Sequence, residues 1–206
     1  MLSKQSLTRL AFTVVNSSVD FKSLMTLTYG ETYPGGGKEC KQNLHKFLTY
    51  AMRDFGEFDY CWFLEFQRRG APHIHILLTL PEPDKLGRVE FALLWANIVA
   101  PPTREEKEKI FLVHAHAVKG KTAWEAIREK DGAKKYALKY ALKAYQKDVP
   151  ETFQDVGRFW GTSRNVPPAE IRRIPITEQE LREILTKLDN PVAGWPILPK
   201  IVFMRE

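Results

Sequence analysis

Tyr60-Cys61-Trp62-Phe63-Leu64-Glu65-Phe66-Gln67-Arg68-Arg69-Gly70-Ala71-Pro72-His73-Ile74-His75-Ile76-Leu77-Leu78-Thr79-Leu80 is two apolar runs joined by a short basic turn with Gly and Pro. Aromatic residues in the first run and β-branched and aliphatic residues in the second, with so short a connection, predict a β-hairpin. Alternate residues on a strand share a face. His73, His75, Leu77 and Thr79 therefore lie together, and Ile74, Ile76, Leu78 and Leu80 form a core face on the other side. In the first run Tyr60, Trp62, Leu64 and Phe66 share one side, while Phe63, Glu65 and Gln67 share the other. Glu65 is a lone carboxylate in an apolar strand and needs a partner, because burying an unpaired charge is costly. An antiparallel register that opposes Glu65 to His73 or His75 makes a His/His/carboxylate set with open positions for a divalent metal. The plainer alternative is two hydrogen-bonded histidines near an unrelated surface glutamate. A bare His-x-His favours it; Glu65 on the adjoining strand tips the expectation to a metal site, with Gln67 as the substitute candidate.

Outward from the hairpin, residues 7–15 have a β-like composition and are expected as a strand, as are Phe21 to Tyr29. The cluster Gly35-Gly36-Gly37 lacks the spacing of a phosphate loop, which excludes a nucleotide-hydrolysing motor of that kind. Lys38 to Phe55 carries Leu44, Phe47, Leu48 and Ala51 at helix spacing, and Asp84 to Val99 carries Phe91, Leu94, Trp95 and Ile98, ended by Pro101-Pro102. Ile110 to Val118 is expected as a strand. Its His114-Ala115-His116 is read as structural or DNA-facing, not metal-binding. Thr122 to Lys147 is expected to be helical, with a break at Asp131-Gly132. These elements predict an α+β fold with an antiparallel sheet of about five strands covered by helices. That domain occupies residues 1–165. Residues 166–206 form an extension expected to pack back on it, with a helix over Thr177 to Leu188 capped by Thr177, Glu180 being its capping-box partner.

The chain has 206 residues, 44% of them hydrophobic and 12% aromatic, enough for one domain with a real core plus appendages. A net charge of +6 and a pI near 9.2 favour an anionic partner. Two cysteines, Cys40 and Cys61, imply no disulfide framework and fit a reducing compartment. Residues 1–10 lack a signal-peptide pattern and no run has the length of a membrane span, so a cytoplasmic protein with no membrane partner is expected.

Lys134-Lys135-Tyr136-Ala137-Leu138-Lys139-Tyr140-Ala141-Leu142-Lys143 places Tyr136 and Tyr140 four apart on one helix face, with Lys139 and Lys143 beside them. Leu138, Ala141, Leu142 and Tyr145 take the opposite, core-facing stripe. Phenols among ammonium groups suit phosphate chemistry, since the lysines attract the backbone and ease phenol deprotonation. Taken alone, the stretch reads more simply as a basic amphipathic helix. Arg68 and Arg69 in the hairpin turn, with Arg158, Trp160 and Arg164 further on, are candidate DNA contacts through phosphate pairing and base stacking.

Together these motifs resemble the HUH endonuclease superfamily, and within it the rolling-circle replication initiators (Rep proteins). Met25-Thr26-Leu27-Thr28 is similar to the first motif, an apolar strand ending Thr-Leu-Thr. His73-Ile74-His75 resembles the histidine motif, and Tyr136-Ala137-Leu138-Lys139-Tyr140 the tyrosine motif of two-tyrosine initiators of plasmid or phage type. Gly157 to Arg164 resembles a downstream segment of the same proteins. The likeness spans roughly residues 20–165 and implies an HUH, RNA-recognition-motif-like nuclease fold.

The resemblance implies site-specific nicking and strand transfer on single-stranded or hairpin origin DNA. Glu65, His73 and His75 would hold Mn²⁺ or Mg²⁺. Tyr136 or Tyr140 would form a 5′-phosphotyrosine link, Lys139 and Lys143 would position phosphate, and a separate host helicase would unwind the duplex. On ligand chemistry alone, zinc fits the three donors equally well. The alternatives are a transposase or relaxase of the same superfamily, a non-catalytic single-stranded nucleic-acid-binding module and, more distantly, a zinc hydrolase.

Overall fold

Tyr60–Phe66 (β2) and Pro72–Leu78 (β3) pair antiparallel, with Glu65 opposite His73 and Phe63 opposite His75. Gly70 turns the connection at φ +84, a backbone angle that other residues rarely adopt. This computed structural model describes residues 4–15, 17–115, 123–128, 132, 149–166 and 177–180. The chain divides into two units, Met1–Pro168 and Ala169–Glu206.

In the first unit, Lys4–Val15 (α1) precedes Ser23–Thr28 (β1) and Gly37–Phe55 (α2). After the hairpin come Lys85–Val99 (α3), Arg104–Ala115 (α4), Trp124–Ala126 (β4), a short 3-10 turn at Glu151–Phe153 and Trp160–Thr162 (β5). The five strands lie in the order β4-β1-β3-β2-β5, and every pairing is antiparallel. The α+β class expected from the sequence is therefore the class observed.

Alternation gives the sheet two apolar faces. Leu27, Leu64, Ile74 and Ile76 meet Leu44 and Phe47 of α2 and Phe91 and Trp95 of α3. Leu24, Cys61, Phe63 and Leu77 meet Leu10 and Val14 of α1. Each large side chain so buried contributes about 1.5–3 kcal/mol, which is what holds helices this short against the sheet. Asp84 caps α3, accepting a hydrogen bond from the Gly87 N–H at 2.8 Å.

Three expected elements differ. Residues 7–15 belong to α1 and not to a strand: Leu10 and Val14, four apart, are both buried, so helix spacing prevails over β-branched content. Ile110 to Ala115 is the end of α4, where Ile110 and His114 repeat that spacing, and residues 116–118 lie outside the described residues. Within the helix expected over 122–147, Trp124–Ala126 is a strand held by pairing with β1; the rest, apart from residues 123, 127, 128 and 132, lies outside the described residues.

Of the second unit, residues 177–180 are described. The Thr177 N–H and hydroxyl donate to Glu180 Oε2 at 2.8 and 2.9 Å, and the Glu180 N–H donates to Thr177 Oγ1 at 3.3 Å. This is the reciprocal cap expected from the sequence. Whether residues 166–206 pack back as expected turns on stretches outside the described residues.

Candidate functional site

Towards the Thr28 end of β1, the face covered by α1 changes from apolar to polar. The register aligns Thr26 with His75 and Thr28 with His73, while Glu65 faces His73 from the other side. Two threonines, two histidines and one glutamate are thus set on three adjacent strands by alternation alone.

His75 and Glu65 are 4% and 5% exposed, so their mutual approach takes place out of water. His75 Nε2 lies 3.5 Å from Glu65 Oε2, and its Nδ1 lies 3.1 Å from the Thr26 hydroxyl oxygen. Phe63 stacks on the His75 ring with centroids 5.4 Å apart. His73 is half-buried, its ring centroid 4.6 Å from that of His75. The His73 Nδ1 lies 3.5 Å from the Thr28 hydroxyl oxygen and 3.4 Å from Gln67 Nε2. Among the described residues, no three His, Cys, Asp or Glu side chains are gathered closely enough to hold an ion as they stand. The arrangement is a buried Glu65–His75 contact at 3.5 Å with His73 adjoining.

The threonine strand is gripped from the opposite side. The Thr28 N–H donates to His114 Nε2 at 3.0 Å, and His114 Nδ1 donates to the Ile110 carbonyl at 2.7 Å. Those two bonds require a neutral ring protonated at Nδ1. Burial holds the His114 imidazole down to about 4 from 6.5, opposed in part by the bond to Ile110. Trp95 Nε1 donates to the Thr28 carbonyl at 2.8 Å. The sequence marks His114 as structural or DNA-facing and Trp95 as core, and it misses their convergence on the backbone of one residue. Nothing local signals that convergence, because His114 is 86 residues from Thr28 and Trp95 is 67.

The expected DNA contacts separate by position. Arg68 is exposed. Arg69 is also exposed, but its head group is engaged, donating to the Tyr29 carbonyl at 2.8 Å and to Gln67 Oε1 at 2.9 Å, with its guanidinium over the Tyr33 ring. It thereby ties the hairpin turn to the segment after β1 and orients the Gln67 amide towards His73. Arg158 is exposed, while its carbonyl accepts from Lys41, whose ammonium lies 4.0 Å above the Trp62 ring. Trp160 is half-buried against the α1 cluster, and its indole N–H donates to the Ser6 hydroxyl at 3.0 Å. Arg164 is exposed. Tyr136, Lys139, Tyr140 and Lys143 lie outside the described residues.

The family model for replication-associated proteins of the ORF2 type matches residues 22–147, well over half of the chain. The chain belongs to that family. Membership makes it a Rep-like replication protein, whose work is on DNA. The matched span opens just before β1 and runs past β4, so it takes in both threonines, the Glu65–His75 pair, His73 and the tyrosine stretch, but not α1 or β5. No curated protein and no solved structure matches the chain significantly. Among the described residues, no helix is long and apolar enough to cross a membrane.

Proposed function

We propose that this replication-associated chain is an HUH-type, site-specific nickase and strand transferase that starts rolling-circle replication on single-stranded or hairpin origin DNA. The observation that carries the reading is the register: Glu65 opposite His73, His75 next on the same face, and a threonine hydroxyl at the Nδ1 of each histidine. The donor set fits a divalent cation. Two imidazoles and a carboxylate share one face, and partners at Nδ1 are what orient metal-bound histidines through their other nitrogen. Opposed side chains on paired strands start only about 5 Å apart, so side-chain rotation suffices to gather Glu65 and His73 beside His75. Glu65, His73 and His75 would hold Mn²⁺ or Mg²⁺, which when bound polarises a phosphate as a Lewis acid.

The chain's own residues supply the remainder. The phenol of Tyr136 or Tyr140 gives up its proton and its oxygen attacks the phosphorus. The bond from phosphorus to the 3′ oxygen breaks, and that oxygen leaves as a protonated 3′-hydroxyl. A 5′-phosphotyrosine link remains and conserves the phosphodiester energy for the second tyrosine, or for a 3′-hydroxyl attacking in return. Lys139 and Lys143 hold the phosphate. Exposed Arg68, Arg158 and Arg164 attract the strand. A separate helicase opens the duplex, and the chain acts in the cytoplasm of its host.

The test incubates the protein with candidate single-stranded origin DNA and Mn²⁺ and resolves the products on a denaturing gel. The expected result is a gel-stable adduct that EDTA and His73→Ala abolish and that Tyr136→Phe, Tyr140→Phe or both remove. DNA binding without an adduct, over a broad panel of oligonucleotides and metals, would overturn the nickase reading in favour of a binding module.

A further inference from the structure

We infer that His114 and Trp95 are positioning residues for the Glu65–His73–His75 site, acting through the backbone N–H and C=O of Thr28. The inference rests on the metal reading above and extends it to two residues that touch none of the donors.

β4 covers the outer edge of β1 only along Ser23 to Met25. Beyond that the outer edge has no strand in register among the described residues, yet this is the end that faces the histidines. An uncovered strand end frays, and a strand that frays cannot hold hydroxyls in place. The N–H and C=O of one strand residue point to the same side, and at Thr28 both are taken by side chains. His114 of α4 accepts from the N–H at 3.0 Å, and Trp95 of α3 donates to the C=O at 2.8 Å. The Thr26 N–H donates to the Ala123 carbonyl at 2.7 Å, which completes the edge.

The grip is itself braced. His114 Nδ1 is fixed on the Ile110 carbonyl, and the Trp95 and His114 ring centroids are 6.4 Å apart. Trp95 is fully buried, wedged edge-on against Tyr29 and Phe47. Apolar packing alone would hold α3 and α4 on the sheet. Two polar groups from two helices meeting on the backbone of one residue do something further: they fix where β1 lies along its own axis. That position sets the Thr28 hydroxyl at His73 and the Thr26 hydroxyl at His75. Loss of a partner that orients a metal-bound histidine weakens metal affinity by about 10–100-fold.

The experiment titrates Mn²⁺ into the full chain by calorimetry, with circular dichroism confirming that each variant is folded at the titration temperature. The variants are His114→Ala, His114→Gln, Trp95→Phe and, as the donor control, His75→Ala. His114→Gln keeps an acceptor at the place of Nε2, and Trp95→Phe removes the N–H donor while keeping an aromatic ring. The expected result is that His114→Ala raises the Kd for Mn²⁺ about tenfold, Trp95→Phe raises it in the same direction, and His114→Gln restores most of the affinity. If His114→Ala does not fold, the Trp95→Phe and His114→Gln titrations decide alone, a wild-type Kd in Trp95→Phe overturning the inference. Variants that bind Mn²⁺ within about twofold of wild type, while His75→Ala abolishes binding, overturn the inference and leave the metal reading standing. A wild-type chain that binds no Mn²⁺ overturns the metal reading, and this inference with it.

Discussion

Acid should destabilise this protein through His114, and the size of the effect follows from its two bonds. The ring accepts from Thr28 and donates to Ile110, so the fold holds it neutral, with its pKa lowered from 6.5 to about 4. Below pH 6.5 the unfolded chain takes up a proton that the folded ring refuses until about pH 4. Its contribution is therefore complete above pH 6.5, drains between there and about pH 4, and changes no further below. The whole interval corresponds to about 3 kcal/mol, of which about 2 kcal/mol is gone at about pH 5. The assay is urea unfolding followed by tryptophan fluorescence at about pH 7.5 and about pH 5, for wild type and His114→Gln. Glutamine can accept from Thr28 and does not titrate, and the difference between the two proteins cancels every other titrating group. Wild type should lose about 2 kcal/mol more than the variant. Equal losses would refute the assignment of a buried, neutral, accepting ring.

Four further outcomes are expected. Arg68→Ala should weaken single-stranded DNA binding and lower the salt dependence by about one ion, read from binding at a series of salt concentrations. Arg69→Ala should instead cost about 1–2 kcal/mol of stability by stranding the Tyr29 carbonyl and freeing Gln67, read by urea unfolding. Gly37→Ala should destabilise by about 1–3 kcal/mol or more, because its Cβ would stand 2.4 Å from the Val156 backbone; Gly35→Ala, with open space around it, is the control in the same melts. The Cys40 and Cys61 thiols are buried and pushed up to about 11 and about 12, chiefly by desolvation. A thiol reagent at mild alkaline pH should leave both unmodified in the native protein and react with both in denaturant, as counted by mass spectrometry.

Legibility in the sequence tracks the range of the interaction. The hairpin is readable because its alternation and its turn lie within one short stretch, and the approach of Glu65 to the histidines follows from that pattern. The helices over 37–55 and 85–99 are readable from their apolar spacing. The two helices whose composition suggests strands contain short runs in which β-branched content and helix spacing compete, and packing on the sheet decides for the helix. β4 and β5 span three residues each, too few to display a period. They are strands because β1 and β2 offer open edges, with Gly161 admitting the Trp62 ring where a Cβ would meet it at 2.9 Å. The hold of His114 and Trp95 on Thr28 is not legible at all, since no local pattern pairs residues so far apart.

The strand order bears on how the chain is made. β1, β2 and β3 are complete once residue 78 has been synthesised, yet both sheet edges arrive later, from residues 124–126 and 160–162. On the ribosome, the centre of the sheet exists with two open edges until residue 126 and with one until residue 162. An open edge of apolar strands is a template for pairing with another chain. Fragments ending between β3 and β5 should therefore aggregate during expression, whereas a fragment carried through Thr162 closes both edges.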